Sequence, residues 1–463
     1  MIYASAIGDG TIKSGLYSRE YITHGVDGET LAAYLKGLGY SEVDTDPIGG
    51  ARFDTHVLKK GSEQFAIHYN RSSGELRVIY ESANDGARAP LAANASTGTG
   101  AVEIAQIGMT RVDEKDNPLI GMCYIVKLSD GSAIVIDGGL ENEACADNLF
   151  NALRSMGISK VGGKYKIAAW IITHCHSDHN GTAKKFAQKY SAGAVVEYLV
   201  QSFPGDNSVA VDGGDEAGFV NDFKSAFPSV VLVNAHAGLN YYFGNATVEM
   251  LYTPELIYTM DGKVDYYNDT SLIFKVKAGG SSVLFLGDAA ENAAAVTWKS
   301  YEAEAFESDI FQLTHHGLNT GANDGHAWAN LGNIYRATKA SYAFLPMHQR
   351  YGEGSGVKNG RYLVMIEWAG VHGLQISFLM DETDDHGLGV PTQSYFESFE
   401  AAVASGTSTH ATLYGYDGVN KIVSEEGLVT YMGSTTSEPM VTVFSLANGD
   451  AALVLNEKLN NWN

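Results

Sequence analysis

Between positions 173 and 181 the chain reads Thr173-His174-Cys175-His176-Ser177-Asp178-His179-Asn180-Gly181, placing three imidazoles and a carboxylate within six consecutive residues. Histidine numbers only 14 in 463 residues, so this density is not a background of composition. Nitrogen and oxygen donors of this kind suit zinc, with Mn2+ or Fe2+ as neighbouring choices. Extended backbone would point His174 and His176 the same way and turn Cys175 to the opposite face, as a small buried residue and not a ligand. Asp178 and His179 are expected on the following loop, curling back beside that pair. A metal with an open position lowers the pKa of its water to about 7, and two metals about 3.5–4 Å apart clamp the attacked and leaving oxygens. Metal-assisted hydrolysis is the chemistry such a cluster can do.

The elements around the cluster have to position it. The apolar run Ala168-Ala169-Trp170-Ile171-Ile172 leads into it as a strand. Upstream, Gly121 to Leu128 and Ser132 to Ile136 read as two strands joined by the turn Ser129-Asp130-Gly131, and the second ends in Asp137-Gly138-Gly139. Glu143 to Met156 and Thr182 to Tyr190 show helical spacing. Downstream, Ser282-Val283-Leu284-Phe285-Leu286 runs into Gly287-Asp288, and Ile310-Phe311-Gln312-Leu313 into Thr314-His315-His316-Gly317. Alternating strands and helices predict an α/β fold.

In this order, Asp-Gly-Gly, the His-x-His-x-Asp-His run, Gly-Asp and His-His-Gly resemble the metallo-β-lactamase superfamily over about residues 102–380. The resemblance implies an αββα sandwich in which His174 and His176 hold a first metal, Asp178, His179 and His316 hold a second, and Asp288 bridges them. One or two ions would be bound. Of the doubled histidines His316 is the expected ligand, with His315 beside it or against the leaving group. The catalytic groups beyond simple ligation are then Asp178, His315 and His348, the last following the strand Ser341 to Leu345 at the rim of the pocket. Most of the superfamily has a further first-metal histidine before Gly-Asp. The sole histidine in that interval, His236, reads instead as a loop histidine without a metal. Asn268-Asp269-Thr270-Ser271-Leu272, the doubled histidine and Pro346-Met347-His348 resemble one branch, that of competence-type DNA-uptake hydrolase domains and cell-wall phosphocholine esterases. Within that stretch Asn268 is either polar lining of the pocket or a turn residue at a strand start.

Composition narrows the substrate. Acidic residues number 54 against 31 basic ones, a formal charge of −23, with no basic cluster longer than Lys59-Lys60 or Lys184-Lys185. Nucleic-acid binding draws on Lys and Arg against phosphates, so long DNA or RNA is disfavoured. A small-molecule or cell-envelope substrate fits better, and a zwitterionic phosphocholine ester fits well. The leading function is a metal-dependent phosphodiesterase. A lactam, lactone or thioester hydrolase on the same metals, or a binding protein retaining the metal scaffold, are the alternatives.

Hydrophobic residues at 45% and charged ones at 18% describe a folded chain with a large core. No apolar stretch reaches the roughly 20 residues of a membrane helix. The three cysteines give no disulfide framework. The first residues carry neither a basic start nor an apolar leader, and the Gly-, Tyr- and Asn-rich composition favours a secreted or cell-surface enzyme with its leader removed over a cytoplasmic one. Residues 1–85 are expected to form a small α+β domain, a helix over Leu31 to Leu38 behind Asp27 followed by a β-meander, with His56 and His68 facing solvent. Residues 86–101 read as a linker, 102–385 as the hydrolase domain and 386–463 as a C-terminal extension. That extension holds a helix over Tyr395 to Ala404 and a hairpin of Met440 to Leu446 with Ala451 to Leu455.

Overall fold

The computed structural model describes residues 10–14, 19–43, 47–81, 100, 102–108, 121–204, 214–254, 266–317, 329–348, 374–380, 413–416, 422–424, 429–432 and 440–458. The linker stretch 86–99 and the helix expected over 395–404 lie outside the described residues, as does the side chain of His348.

Two large sheets face each other. The first runs, strand beside strand, through Val231–Asn234, Ala194–Gln201, Lys164–Ile171, Ala133–Asp137, Cys123–Lys127, Val102–Ile107, Met440–Ala447 and Asp450–Lys458. Its central members are parallel, with Ile171 beside both Ile136 and Val200. Strands covered on both faces are near-continuously apolar, and Ala133–Asp137 is buried throughout. The second sheet includes Asn240–Phe243, Ala246–Tyr252, Ile273–Ala278, Ser281–Phe285, Ile310–Gln312, Tyr342–His348 and Leu374–Met380 in that order. Tyr124, Ile134, Ile136 and Ile171 of the first sheet pack against Val248, Phe274, Phe285 and Phe344 of the second.

Helices cover the outer faces. Helix α1 (Gly28–Gly37) belongs to the N-terminal region, while α2 (Glu143–Ser155), α3 (Ser177–Tyr190) and α4 (Glu216–Ala226) lie on the first sheet through Leu149, Phe186 and Phe223. Helices α5 (Glu291–Ser300) and α6 (Ala329–Thr338) flank the second, where Tyr335 meets Phe311 with ring centroids 5.1 Å apart. The architecture is the expected α/β sandwich with helices outside and sheets inside. Among the described residues no helix is long and apolar enough to cross a membrane. Cys123, Cys145 and Cys175 are buried, and none of them forms a disulfide.

Periodicity leaves open whether the C-terminal hairpin completes the core or is appended to it. It pairs with Val102–Ile107, Phe444 beside Ile104, and so extends the core sheet. The N-terminal sheet also holds more than a meander, in the order Gly10–Ser14, Arg19–His24, Glu75–Glu81, Glu63–Asn70, Asp54–Lys60, Ser41–Val43. Helix α1, capped where Thr30 N donates to Asp27 at 2.7 Å, covers one of its faces through Leu31, Leu35, Phe65 and Ile67. The opposite face packs on the core between the two large sheets: Val57, Ala66 and Ile79 join its apolar cluster, and Arg77 donates to Ala237 O at 3.0 Å.

His68 therefore does not face solvent. It is 4% exposed, 3.0 Å from Thr55 Oγ1 and edge-on to Phe53. His56 is half-buried, 2.6 Å from Glu42. Alternation identifies two faces of a strand but cannot say that both are covered. Burial, then the charge of Arg77 with smaller effects of His236 and His56, pushes the His68 pKa well below 6.5. The unfolded chain takes up that proton near pH 6.5 and the folded chain does not, so acid favours unfolding. Stability should fall below about pH 6.5 by up to about 1.4 kcal/mol per pH unit from this site. His68→Gln is expected to flatten that slope in urea unfolding between pH 7.5 and 5. Identical slopes in both proteins would refute the assignment.

Candidate metal centre

The carboxyl ends of the parallel strands carry the cluster. Lys164–Ile171 stops before the motif, so Thr173 to His176 form the turn between that strand and α3 rather than the strand itself. His174 Nε2 and His176 Nδ1 nonetheless lie 3.0 Å apart, while Cys175 sits in the apolar core with Asn180 Nδ2 donating to its sulfur at 2.8 Å. Asp178 and His179 occupy the first turn of α3, not a loop. The helix fixes their separation and sets Asp178 where the amide dipoles favour a negative charge.

Asp288 follows Ser281–Phe285 and is 1% exposed. Its Oδ2 lies 3.1 Å from His179 Nε2, 3.4 Å from His316 Nε2 and 3.8 Å from His174 Nε2. Asp178 Oδ2 is 3.1 Å from His316 Nε2. Two donor groups result: Asp178, His179, Asp288 and His316 in one, and His174, His176 and Asp288 in the other, the atoms of each lying within 4.8 Å of one another. Asp288 is common to both. The sequence-derived set thus converges, with His316 inside it and His315 outside.

The doubled histidine is resolved by backbone conformation. His315 and His316 both adopt left-handed geometry, with φ of 47° and 53°. Side chains with a Cβ adopt it at a cost of order 1 kcal/mol each or more. His315 N donates to Gly287 O at 3.1 Å, and His316 Nδ1 donates to Pro346 O at 2.6 Å. The latter bond leaves His316 Nε2 turned to the carboxylates. His315 Nδ1 is buried and makes no hydrogen bond, and burial lowers its pKa.

Asp137, at the end of its strand, does for His179 what Pro346 O does for His316. It accepts from His179 Nδ1 at 2.8 Å, from Thr173 N at 2.7 Å and from Thr173 Oγ1 at 2.8 Å. A carboxylate on Nδ1 fixes the tautomer and directs Nε2 inward. The Asp-Gly-Gly signal was visible in sequence, but its partner was not. Ser271 and Asp269 were missed altogether: Ser271 Oγ accepts from Asp288 N at 3.0 Å, and Asp269 Oδ1 accepts from Ala290 N and Ala293 N, both at 3.1 Å. Asp269 so caps α5 from 21 residues upstream, and burial raises its pKa to about 6 despite those donors. His236 lies apart from both groups, fully buried and 2.8 Å from Glu81.

Electrostatics favour a cation here. Burial opposes charge on His179, yet Asp288, Asp137 and Asp178 outweigh it and raise its pKa well above the usual value. His316 behaves likewise and is pushed up to about 9, chiefly by Asp288 against its burial. Burial would raise Asp288 and Asp178, but His179 and His316 hold both below the carboxylate range. His174 is driven well below 6.5 by burial and then by His179. Asp137, Asp178 and Asp288 thus place negative charge around these imidazoles and favour a positive charge among them. His179 Nε2, His316 Nε2 and Asp288 Oδ1 make no hydrogen bond, and this imidazole–carboxylate set fits a divalent ion that supplies that charge.

Residues 116–248 match the family model described as "Metallo-beta-lactamase superfamily". Among solved structures, a flavo di-iron protein mutant from Thermotoga maritima is 19% identical with a TM-score of 0.24, covering 40% of this chain and 38% of that one. The short form of human tRNase Z is 12% identical with a TM-score of 0.31, covering 52% of this chain and 90% of that one. The chain thus spans well under half the length of the flavo di-iron protein. No curated protein matches it significantly.

Proposed function

We propose that this chain, a member of the metallo-β-lactamase superfamily with that family's hydrolase fold, is a phosphodiesterase acting through two divalent ions on a small-molecule or cell-envelope substrate. The observation that supports the reading best is the sharing of Asp288 between two groups of donors. A single-ion site has no need of two such groups.

Divalent ions held there supply Lewis acidity and bring the pKa of water towards 7. The chain's own residues make this possible. Asp137 and Pro346 O take the outer N–H groups of His179 and His316, and so present both Nε2 lone pairs inward. Asp178 holds charge beside His316 from the rigid first turn of α3. His315, whose pKa burial lowers, stands outside the donor groups and would exchange a proton with a leaving oxygen. The −23 charge supports a compact or zwitterionic substrate over long nucleic acid. Zinc suits the nitrogen-rich donors, with Mn2+ or Fe2+ the next choices.

Purified protein should be assayed with bis-p-nitrophenyl phosphate, p-nitrophenyl phosphorylcholine, nitrocefin, an acyl lactone and a short RNA. Turnover of the small phosphodiesters, lost on chelation and restored by metal, is the expected result. Preference for nitrocefin or the lactone would establish the carboxyl-hydrolase alternative. A metal-loaded protein inert to every class would leave a binding protein.

A further inference from the structure

The two donor groups are unequal. One has four side chains, whereas the other has His174, His176 and only the shared Asp288. Divalent ions in proteins take four or more ligands. We infer that the carboxamide oxygen of Asn268 is a further donor to the poorer half of the centre. This rests on the two-ion reading and adds to it a ligand and a metal preference.

Asn268 lies in the single-turn segment Tyr267–Thr270, ahead of the strand Ile273–Ala278. It is 3% exposed, and its Nδ2 donates to the Tyr266 phenol oxygen at 3.0 Å. Its Oδ1 is buried and accepts no hydrogen bond. A carbonyl removed from water without a donor costs about 1–3 kcal/mol, and a cation removes that cost. The two tyrosines that precede it lie beside the centre. The Tyr267 ring packs on His176 and His174, with centroids 4.6 and 6.0 Å away. Burial and then the negative charge of Asp288 raise the Tyr266 phenol pKa.

The turn is also stitched to both loops that carry the poorer group. Leu272 N donates to Thr173 O at 3.0 Å, next to His174, and Ser271 Oγ accepts from Asp288 N at 3.0 Å. An amide oxygen is a hard donor, better matched to Mn2+ than to zinc. Asn268 should therefore widen the metal range of this half.

The test is metal content after exhaustive dialysis, chelator-competition affinity for Mn2+ and Zn2+, and the visible spectrum of the Co2+-loaded protein. It uses the full chain as wild type, Asn268→Ala, Asn268→Asp and, as a control, Thr270→Val, whose hydroxyl is also buried without a partner. Asn268→Ala is expected to weaken one of two sites roughly 10–100-fold, more for Mn2+ than for Zn2+. Asn268→Asp should restore two equivalents with an altered Co2+ spectrum, and Thr270→Val should match wild type. Should Asn268→Ala fail to fold, an unchanged Co2+ spectrum and affinity in the isosteric Asn268→Asp would overturn the assignment. So would two unchanged sites in a folded Asn268→Ala. A wild type that binds no metal would instead refute the two-ion reading itself.

Discussion

Asp288→Ala should lower hydrolytic activity by on the order of 10³-fold, equivalent to about 4 kcal/mol of barrier, and empty both halves of the centre. Asp288 is the residue common to the two donor groups, whereas every other donor belongs to one. Removing it takes from the poorer half its one carboxylate beside His174 and His176. The richer half loses the carboxylate 3.1 Å from His179. His176→Ala is the informative comparison. It takes one donor from one group, so it should reduce bound metal by about one equivalent and spare most of the affinity of the other site. Metal analysis of protein purified without added ions separates these outcomes. Retention of two equivalents in Asp288→Ala, or full wild-type activity after demetallation, would end the metal-centred account.

Gly181→Ala is expected to be nearly as damaging, although glycine brings no chemistry. A Cβ there would lie 2.7 Å from Glu141 Cα and from the Leu140 carbonyl carbon, contacts no side-chain rotation can relieve. The alternative is to lift α3 away from the Leu140–Glu141 backbone. Gly181 is in the opening turns of that helix, directly after Asp178 and His179, so any shift moves two donors of the richer group. Overpacking of this kind costs roughly 1–3 kcal/mol. A displacement approaching 1 Å at a reacting centre costs about 100-fold in rate. We expect a melting temperature lower by several degrees and a kcat lower by about two orders of magnitude. Gly37→Ala, at the end of α1 with open space around it, should change neither. A Gly181→Ala protein with wild-type melting and activity would show that this approach is not needed for the site.

Much of the centre was legible because metal ligation demands particular side-chain types close together. Three imidazoles and a carboxylate within residues 174–179 mark such a site before any folding is considered. Asp288 and His316, far along the chain, were indicated instead by the resemblance of Gly287-Asp288 and His315-His316-Gly317 to the superfamily's motifs. The local reading erred where only periodicity was available. Asp178 and His179 were expected on a loop because helical spacing becomes visible only from Thr182, whereas the helix begins at Ser177. His68 was expected in water because alternation cannot reveal that the hydrolase core covers the second face of its sheet.

Choices made by distant contacts have no cause in the local pattern, even where the family resemblance already favoured His316. Between His315 and His316, selection follows from a left-handed turn held by Gly287 O and Pro346 O, partners 28 and 30 residues away. Asp137 meets His179 across 42 residues, and the hairpin at 440–458 joins the strand at 102–107 from the far end of the chain. Residue chemistry and short-range pattern were thus enough to predict the two-sheet α/β sandwich and most of the donors gathered in its candidate metal centre. Which nitrogen faces inward, which histidine is excluded, and whether a strand face is wet depend on hydrogen bonds and packing between segments whose proximity exists only once the chain has folded.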